Sequence, residues 1–283
     1  MEKRLIIRNF ETVSDFMAAF GVIHIVRAAL LSTIAFSSGT SLNTTGIAWS
    51  LAAGACMAIS LALYFYALSL EETTRVAPVI ATIPAFTFLI AILLFHESIS
   101  ALELFGLMVI VLGSIVINMR PMNKRLRFLN KKALCAAVAS SFCAAWGFVS
   151  MDKATVHSDP FGTELVRTLA VGVLIGLVYW RRARLRAAWV ALARTETAIL
   201  FVACEGVLAA GFMLLFSYAV SVGPVGPVSA IATAISPIAV LIGATALSTG
   251  RWNVLGESVD RQTLTLKIVG TGFIVWGIFS LRL

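Results

Sequence analysis

Very few charged side chains fall inside the long apolar segments of this chain, and these few could do chemistry there. Glu205 lies within the apolar segment Ala198–Val222. Because burial disfavours the charged form of a carboxyl group, such a residue can take up and release protons near neutral pH. Glu205 is therefore the candidate for handling protons inside the segment. The alternative interpretation is a structural glutamate that is hydrogen-bonded to the backbone or to Arg27.

Two arginines also lie inside apolar segments, and their surroundings are similar. Arg27 belongs to the sequence HIVRAALL and Arg167 to ELVRTLAV. The repetition favours a shared architectural role, such as snorkelling or anchoring near a helix end, over substrate binding. At a rise of about 1.5 Å per residue, Arg167 and Glu205 lie at different depths, whereas Arg27 is closer in level to Glu205. A direct or water-bridged contact between Arg27 and Glu205 is one expectation.

Two prolines interrupt apolar segments that are long enough to be helices. Pro84 and Pro237 each remove one intrahelical hydrogen bond, which frees the carbonyl groups of Ile80 and Thr233. A free carbonyl at membrane depth is tolerated only against protein or a wet cavity. The two segments are therefore predicted to be cavity walls and hinges, and a plain packing kink is the alternative.

Aromatic and small polar residues near these prolines could shape a pathway for a small molecule. The pathway candidates are Tyr66, Thr82, Pro84, Trp146, Tyr218, Thr233, Ser236 and Pro237. The sequence contains no HExxH, P-loop, GxSxG or Cys–His zinc pattern. No catalytic residue, metal site or cofactor is predicted, and we do not expect an enzyme.

The composition decides the class of protein that carries these residues. The chain has 283 residues, of which 59% are hydrophobic and 13% are charged, and its mean hydropathy is +0.95. Soluble domains carry roughly a quarter charged residues. The chain is therefore predicted to be an integral membrane protein whose main partner is the lipid bilayer. The net charge of +8 does not indicate nucleic-acid binding, because the basic residues lie in short loops between apolar segments.

Nine segments are long and apolar enough to cross a membrane as helices. The strict alternation expected of barrel strands does not appear, so the predicted fold class is all-α and polytopic. The segments are Phe16–Ser37, Gly46–Leu68, Thr74–Phe95, Ala101–Met119, Ala133–Ala154, Thr163–Trp180, Ala198–Val222, Val225–Ser248 and Leu264–Leu281.

The basic residues between these segments predict the orientation. With nine segments, nearly all loop lysines and arginines fall on the side of the N-terminus, and only Lys153 and Arg282 fall on the other side. Cytoplasmic loops carry this excess of basic residues. The N-terminus is therefore predicted to lie inside and the C-terminus outside, in a cytoplasmic (inner) membrane.

The first four segments match the last four in order. The shared features are VRAAL and VRTLA around the two arginines, YALS at Tyr66 and YAVS at Tyr218, the two prolines, HES and GES after the proline segments, and glycines seven residues apart at Gly106 and Gly113 and again at Gly270 and Gly277. The chain has therefore been duplicated. The segment Ala133–Ala154 is the one without a counterpart.

These shared features resemble the drug/metabolite transporter superfamily, of the EamA-like type with two five-helix repeats. The resemblance implies a secondary transporter that exports amino acids, other small metabolites or drugs by alternating access between two inverted repeats. Glu205 would then be the ion-coupling candidate. The implied units are a polar N-terminal segment (1–15), a first repeat of four helices that lacks its first helix (16–119), a basic cytoplasmic linker (120–132) and a second repeat of five helices (133–283).

Proteins of this type usually have ten helices, whereas nine segments are predicted here, and this difference leaves two interpretations open. The chain begins late, through truncation or a misassigned start, or it is a genuine nine-helix variant. The alternative function is a non-transporting membrane subunit or an inactive truncated paralogue. Gly172-x-x-x-Gly176 allows close helix approach, either within one subunit or in a homodimer.

Overall fold

A computed structural model of the chain describes residues 10, 12–71, 76, 79–95, 100–118, 130–233 and 261–280. These residues are helical almost throughout, and within them there is no β-strand. Five of their helical spans are long and apolar enough to cross a membrane. The chain is thus an all-α, multi-pass membrane protein, as its composition predicts.

The helices follow the predicted apolar segments closely. In chain order they are α1 (Val13–Ser38), α2 (Thr44–Leu70), α3 (Ile83–Phe95), α4 (Ala101–Asn118), α5 (Lys131–Thr155), α6 (Pro160–Tyr179), α7 (Arg182–Leu192), α8 (Thr195–Phe201), a π-helical segment (Val202–Leu208), α9 (Ala209–Val222) and α10 (Arg261–Ser280). Residues 225–233 are also helical. Most of the eighth predicted segment and most of the linker 120–132 lie outside the described residues.

Polar side chains at the helix starts fix where the membrane spans begin. Thr12 and Asp15 form a capping box at the start of α1, in which each side chain accepts a hydrogen bond from the backbone of the other residue. The Asp159 carboxylate accepts hydrogen bonds from two backbone N–H groups at the start of α6, where Pro160 is the first residue. Proline is favoured at this position because its missing N–H would be unpaired anyway.

The main body of the bundle is built around α2, which packs against α5 and α6, while α1 packs along α6. Ser60 of α2 and Ser140 of α5 each donate a hydroxyl hydrogen bond to the carbonyl of the other residue, at 2.9 and 2.8 Å. On another face of α2, a Cβ added at Gly54 would lie only 2.7 Å from the carbonyl oxygen of Arg167. Small residues therefore bring α2 close to both neighbours, which is how helices pack in a bilayer.

The glycines that the two predicted repeats share lie in the contact between α4 and α10. A Cβ added at Gly113 would lie 2.7 Å from the Gly270 carbonyl oxygen, and one added at Gly277 would lie 2.7 Å from the Gly106 carbonyl oxygen. The residue order along one helix is the reverse of that along the other, so α4 and α10 are antiparallel. The spacing of seven residues thus places both glycines of each helix on the face that contacts the other helix.

The same antiparallel relation holds between α1 and α6. Gly21 lies against Ile175, and Ile25 lies against Gly172 further along α1. Helices α1 and α6, like α4 and α10, occupy equivalent places in the two predicted repeats. Equivalent helices that run in opposite directions are what an inverted duplication requires, which supports the predicted arrangement of the two halves.

Two elements differ from the sequence-based expectation. The connection Arg181–Thr197 contains α7, which packs on α1, buries Ala188 and Ala191, and leaves Trp189 exposed. The third predicted span is not one continuous helix, because a turn at 81–82 precedes α3 and places Pro84 in the first turn of that helix. Pro84 therefore begins a helix instead of kinking one, since a first-turn residue needs no intrahelical donor.

Candidate functional site

Buried charged and polar side chains from three elements meet where α1 faces α6 and the π-helical segment. We call this group the charged cluster: it consists of His24 and Arg27 of α1, Glu164 and Arg167 of α6, and Glu205 of the π-helical segment. All five residues are buried. Ionisable groups inside a membrane are costly, and they mark functional sites by default.

The tightest contact in the charged cluster lies within α6. Both oxygens of Glu164 accept hydrogen bonds from Arg167, at 2.7 Å from Nε and 2.6 Å from Nη2. The hydroxyl of Thr168 donates to Glu164 Oε1 at 2.8 Å. Short, bidentate contacts of this kind are the strong form of an arginine–carboxylate pair. The charge of Arg167 is therefore neutralised within its own helix, one turn away.

Arg27 is held much more loosely, although its exposed fraction is only 4%. Its Nη2 lies 3.4 Å from Glu164 Oε1, and its Nη1 lies 3.5 Å from both His24 Nε2 and the backbone carbonyl oxygen of Glu205. Its Nε has no hydrogen-bond partner among the described residues. Charge-assisted hydrogen bonds are ordinarily about 2.7–2.9 Å long. Arg27 is thus a buried cation whose hydrogen-bond contacts with the described residues are all long.

The hydrogen on the His24 ring can be assigned from its neighbours. His24 Nδ1 lies 2.9 Å from the carbonyl oxygen of Phe20, which can only accept a hydrogen bond. Nδ1 therefore carries the hydrogen, and in the neutral ring Nε2 is the acceptor that faces Arg27. His24 orients Arg27 without supplying a negative charge.

Glu205 lies in the π-helical segment, between α8 and α9 of a single 28-residue span, Thr195–Val222. The segment packs against α1, and Gly206 faces Ile23 there. Its wider turns bring the Glu205 carbonyl within reach of Arg27. Single π-helical segments are rare inside α-helices and occur frequently at functional sites.

The expectation that Arg27 and Arg167 snorkel or anchor helix ends is wrong. Their exposed fractions are 4% and 2%, and both contact Glu164. Helical spacing sets the depth of a side chain, but it does not tell which neighbour the side chain faces. The sequence analysis did not predict that Glu164 is the counter-ion of both arginines. The signal for it was that Glu164 lies three residues before Arg167 inside an apolar segment, a spacing at which helical side chains are neighbours.

The two tyrosines among the pathway candidates lie at opposite ends of the bundle. Tyr66 is near the end of α2, where the Glu71 carboxylate accepts a hydrogen bond from the backbone of Asn130, just before α5. Tyr218 follows Ser217, which donates to the first residue of α6, just after α5. Helix α5 has 25 residues, so the two ends are about 37 Å apart. The structure does not bring Tyr66 and Tyr218 into one site.

The other pathway candidates lie along α3, α5 and the start of the eighth segment. Thr82 donates to the Val79 carbonyl at 2.6 Å, and this carbonyl also accepts from Ser141 of α5. Pro84 is buried, and α3 packs on α5, where Trp146 is partly buried against the core. Thr233 is partly buried. Ser236 and Pro237 lie outside the described residues.

Comparison with known proteins relates this arrangement to a family. Residues 5–119 match the EamA-like transporter family, so the predicted resemblance to the drug/metabolite transporter superfamily is confirmed over that part of the chain. This family comprises membrane transporters of small molecules and is not an enzyme family. The match ends before the linker, so the second repeat stays a prediction.

The comparison of structures extends over nearly the whole chain. A solved structure described only as a crystal structure of a protein is 16% identical, covers 93% of this chain and 96% of its own, and has a TM-score of 0.54. At this identity the similarity shows the fold alone. The search of curated proteins gave no match.

Proposed function

We propose that this multi-pass membrane protein, whose residues 5–119 match the EamA-like transporter family, is a secondary transporter of small molecules in the cytoplasmic membrane. The observation that carries the proposal is the charged cluster. Arg27 comes from the first half of the chain, and Glu164, Arg167 and Glu205 come from the second half. Buried ionisable groups at the junction of two halves are typical of substrate and ion pathways.

The transport mechanism is alternating access between the two halves. Equivalent helices of the halves run antiparallel at α1–α6 and at α4–α10, which supports two inverted units that rock about a site at the middle of the membrane. The long contacts of Arg27 lie between α1 and the second half, so this junction can separate without breaking the Glu164–Arg167 pair. The basic loops face the cytoplasm. The proposed direction is export, as the resemblance to the drug/metabolite transporter superfamily implies.

Glu205 couples this movement to protons. Its carboxyl group is buried, it lies in a π-helical segment, and it belongs to the element that faces Arg27. Protonation removes its charge and so changes the electrostatic environment of Arg27 in one step. The driving force is then an ion gradient, in addition to the gradient of the substrate itself.

Transport is tested with the purified chain in proteoliposomes, by counterflow of labelled amino acids, organic acids, amines and sugars. We expect counterflow above that of protein-free liposomes for at least one of these classes. The melting temperature in detergent serves as the control for folding. A folded protein that moves none of them would contradict the proposal and favour a non-transporting membrane subunit or an inactive paralogue.

Replacing Glu205 with glutamine is expected to abolish accumulation driven by a pH gradient while counterflow stays within about threefold of the original protein. Glutamine keeps the shape of the side chain but cannot take up a proton, so exchange continues without coupling. The measurement is labelled uptake with and without an imposed pH gradient. Glu196→Gln, at an exposed position on the same span, is the matched control and should keep the dependence. An unchanged pH dependence in Glu205→Gln would eliminate the coupling role.

A further inference from the structure

Each half of the chain has an arginine at the equivalent position, but the two arginines have different neighbours. In HIVRAALL and ELVRTLAV, Arg27 corresponds to Arg167, and His24 corresponds to Glu164 three residues before it. Arg167 therefore has a carboxylate in its own helix, and this carboxylate binds it through two short hydrogen bonds. Arg27 has a histidine at the equivalent place, at 3.5 Å, and a neutral histidine supplies no charge.

The carboxylates near Arg27 do not hold it firmly. Glu164 already receives two hydrogen bonds from Arg167 and one from Thr168, so its 3.4 Å contact with Arg27 is the weakest of its four. Glu205 lies within electrostatic reach of Arg27, and the hydrogen bond between the two residues runs to the backbone carbonyl at 3.5 Å. The guanidinium of Arg27 thus retains donors for another acceptor, including the unpartnered Nε.

A guanidinium presents its donors as a planar fork that matches the two oxygens of a carboxylate. A buried guanidinium group with only long contacts has lost its hydration without gaining short hydrogen bonds in return. It is therefore predisposed to bind an incoming anion. The entry of an anion would leave no protein carboxylate unpaired, because Glu164 stays bound to Arg167.

We propose that Arg27 is the substrate-binding residue of this protein and that it binds a carboxylate group, so that the transported molecules are small carboxylates. This inference rests on the proposed transport function and names its substrate class. The substrate carboxylate replaces the long contact with Glu164 and takes the Nε and Nη donors of Arg27. A purely cationic molecule is disfavoured at this place, because Arg27 repels it.

Binding to the detergent-solubilised protein tests this substrate class independently of flux. The probes are labelled leucine, phenylalanine, lactate and citrate, each compared with its amide or methyl ester. We expect lactate or citrate, whose amides and esters are neutral, to bind about tenfold or more tightly than the derivative, which is the usual contribution of a charge-assisted hydrogen bond. The amides and esters of leucine and phenylalanine are cations, so these two acids serve only to show whether amino acids bind. Equal binding of an acid and its amide, or binding of none of the acids, would overturn the inference.

A pair of variants at position 24 tests whether Arg27 is the group that binds. His24→Glu gives Arg27 its own carboxylate three residues away, as Arg167 has, and should weaken binding of the acid by about tenfold to a hundredfold. His24→Gln has nearly the same shape without the charge, and it should weaken binding by no more than about fivefold. Similar binding by the two variants would remove Arg27 from the site.

Arg27→Gln is the direct variant, and it should weaken binding of the acid about tenfold to a hundredfold while the melting temperature stays close to the original value. Folding is retained because Glu164 keeps its bidentate partner.

Counterflow separates the carboxylate inference from the proposed transport function. Flux of neutral or cationic molecules with no binding of acids would refute the carboxylate inference and leave transport standing. Binding of acids without any flux would refute transport alone.

Discussion

Glu164→Gln is expected to lower the free energy of unfolding by about 3–5 kcal/mol, which is the usual effect of removing one partner from a buried ion pair. The substitution keeps the shape of the side chain and removes the charge that Arg27 and Arg167 share. Both arginines are almost fully buried, so neither can recover the loss by reaching water. The measurement is unfolding of the purified protein in mixed detergent micelles, followed by circular dichroism.

The control for Glu164→Gln is the same change at Glu196, which is exposed in the first turn of α8. That change should alter the free energy of unfolding by no more than about 1 kcal/mol. The double variant Glu164→Gln with Arg167→Gln removes both members of the bidentate pair. It should cost less than the sum of the two single changes, because neither partner is left buried alone. Additive costs would show that the ion pair is not the source of the stability.

Gly277→Leu is expected to destabilise the contact between α4 and α10 by about 3 kcal/mol. A Cβ at this position would lie 2.7 Å from the carbonyl oxygen of Gly106 and 2.6 Å from Ile110, and the backbone oxygen cannot move aside without moving α4. Overpacking of this kind costs about 1–3 kcal/mol, and more where backbone must shift. The measurement is the melting temperature, together with the yield of a disulfide between cysteines introduced into α4 and α10.

Gly272→Leu on the same helix is the matched control. A Cβ at Gly272 would have no neighbour within 4 Å among the described residues, and the position is exposed. Since leucine is a better helix former than glycine by roughly 0.5–1 kcal/mol, this variant should be neutral or slightly more stable. Equal melting temperatures for the two leucine variants would contradict the packing contact.

The sequence by itself determined the class of the protein and most of its helices. Apolar segments of about 20 residues have one stable form in a bilayer, because every backbone hydrogen bond must be made within the segment. The observed α1, α2, α5 and α6 therefore follow the predicted segments closely. Repeated features such as the spaced glycines also indicated a resemblance to the EamA-like type, and residues 5–119 match that family.

Short-range geometry was predicted less well, because it depends on local competition between similar conformations. The break at 81–82 places Pro84 at a helix start, whereas the sequence is equally compatible with a kink inside a helix. The π-helical segment at Val202–Leu208 has no recognisable residue pattern. Helix α7 is short and amphipathic. It was not predicted because the connection in which it lies is rich in arginine.

The tertiary structure alone decided where the charged side chains point. Helical spacing gave the approximate depth of Arg27 and Glu205, but it did not reveal that Glu164 lies between Arg27 and Arg167. In a soluble helix, an apolar stripe identifies the buried face. In these helices lipid-facing and protein-facing residues are both apolar, so this signal is missing. The choice between a snorkelling arginine and a buried, ion-paired one therefore depended on the packing of α1 against α6.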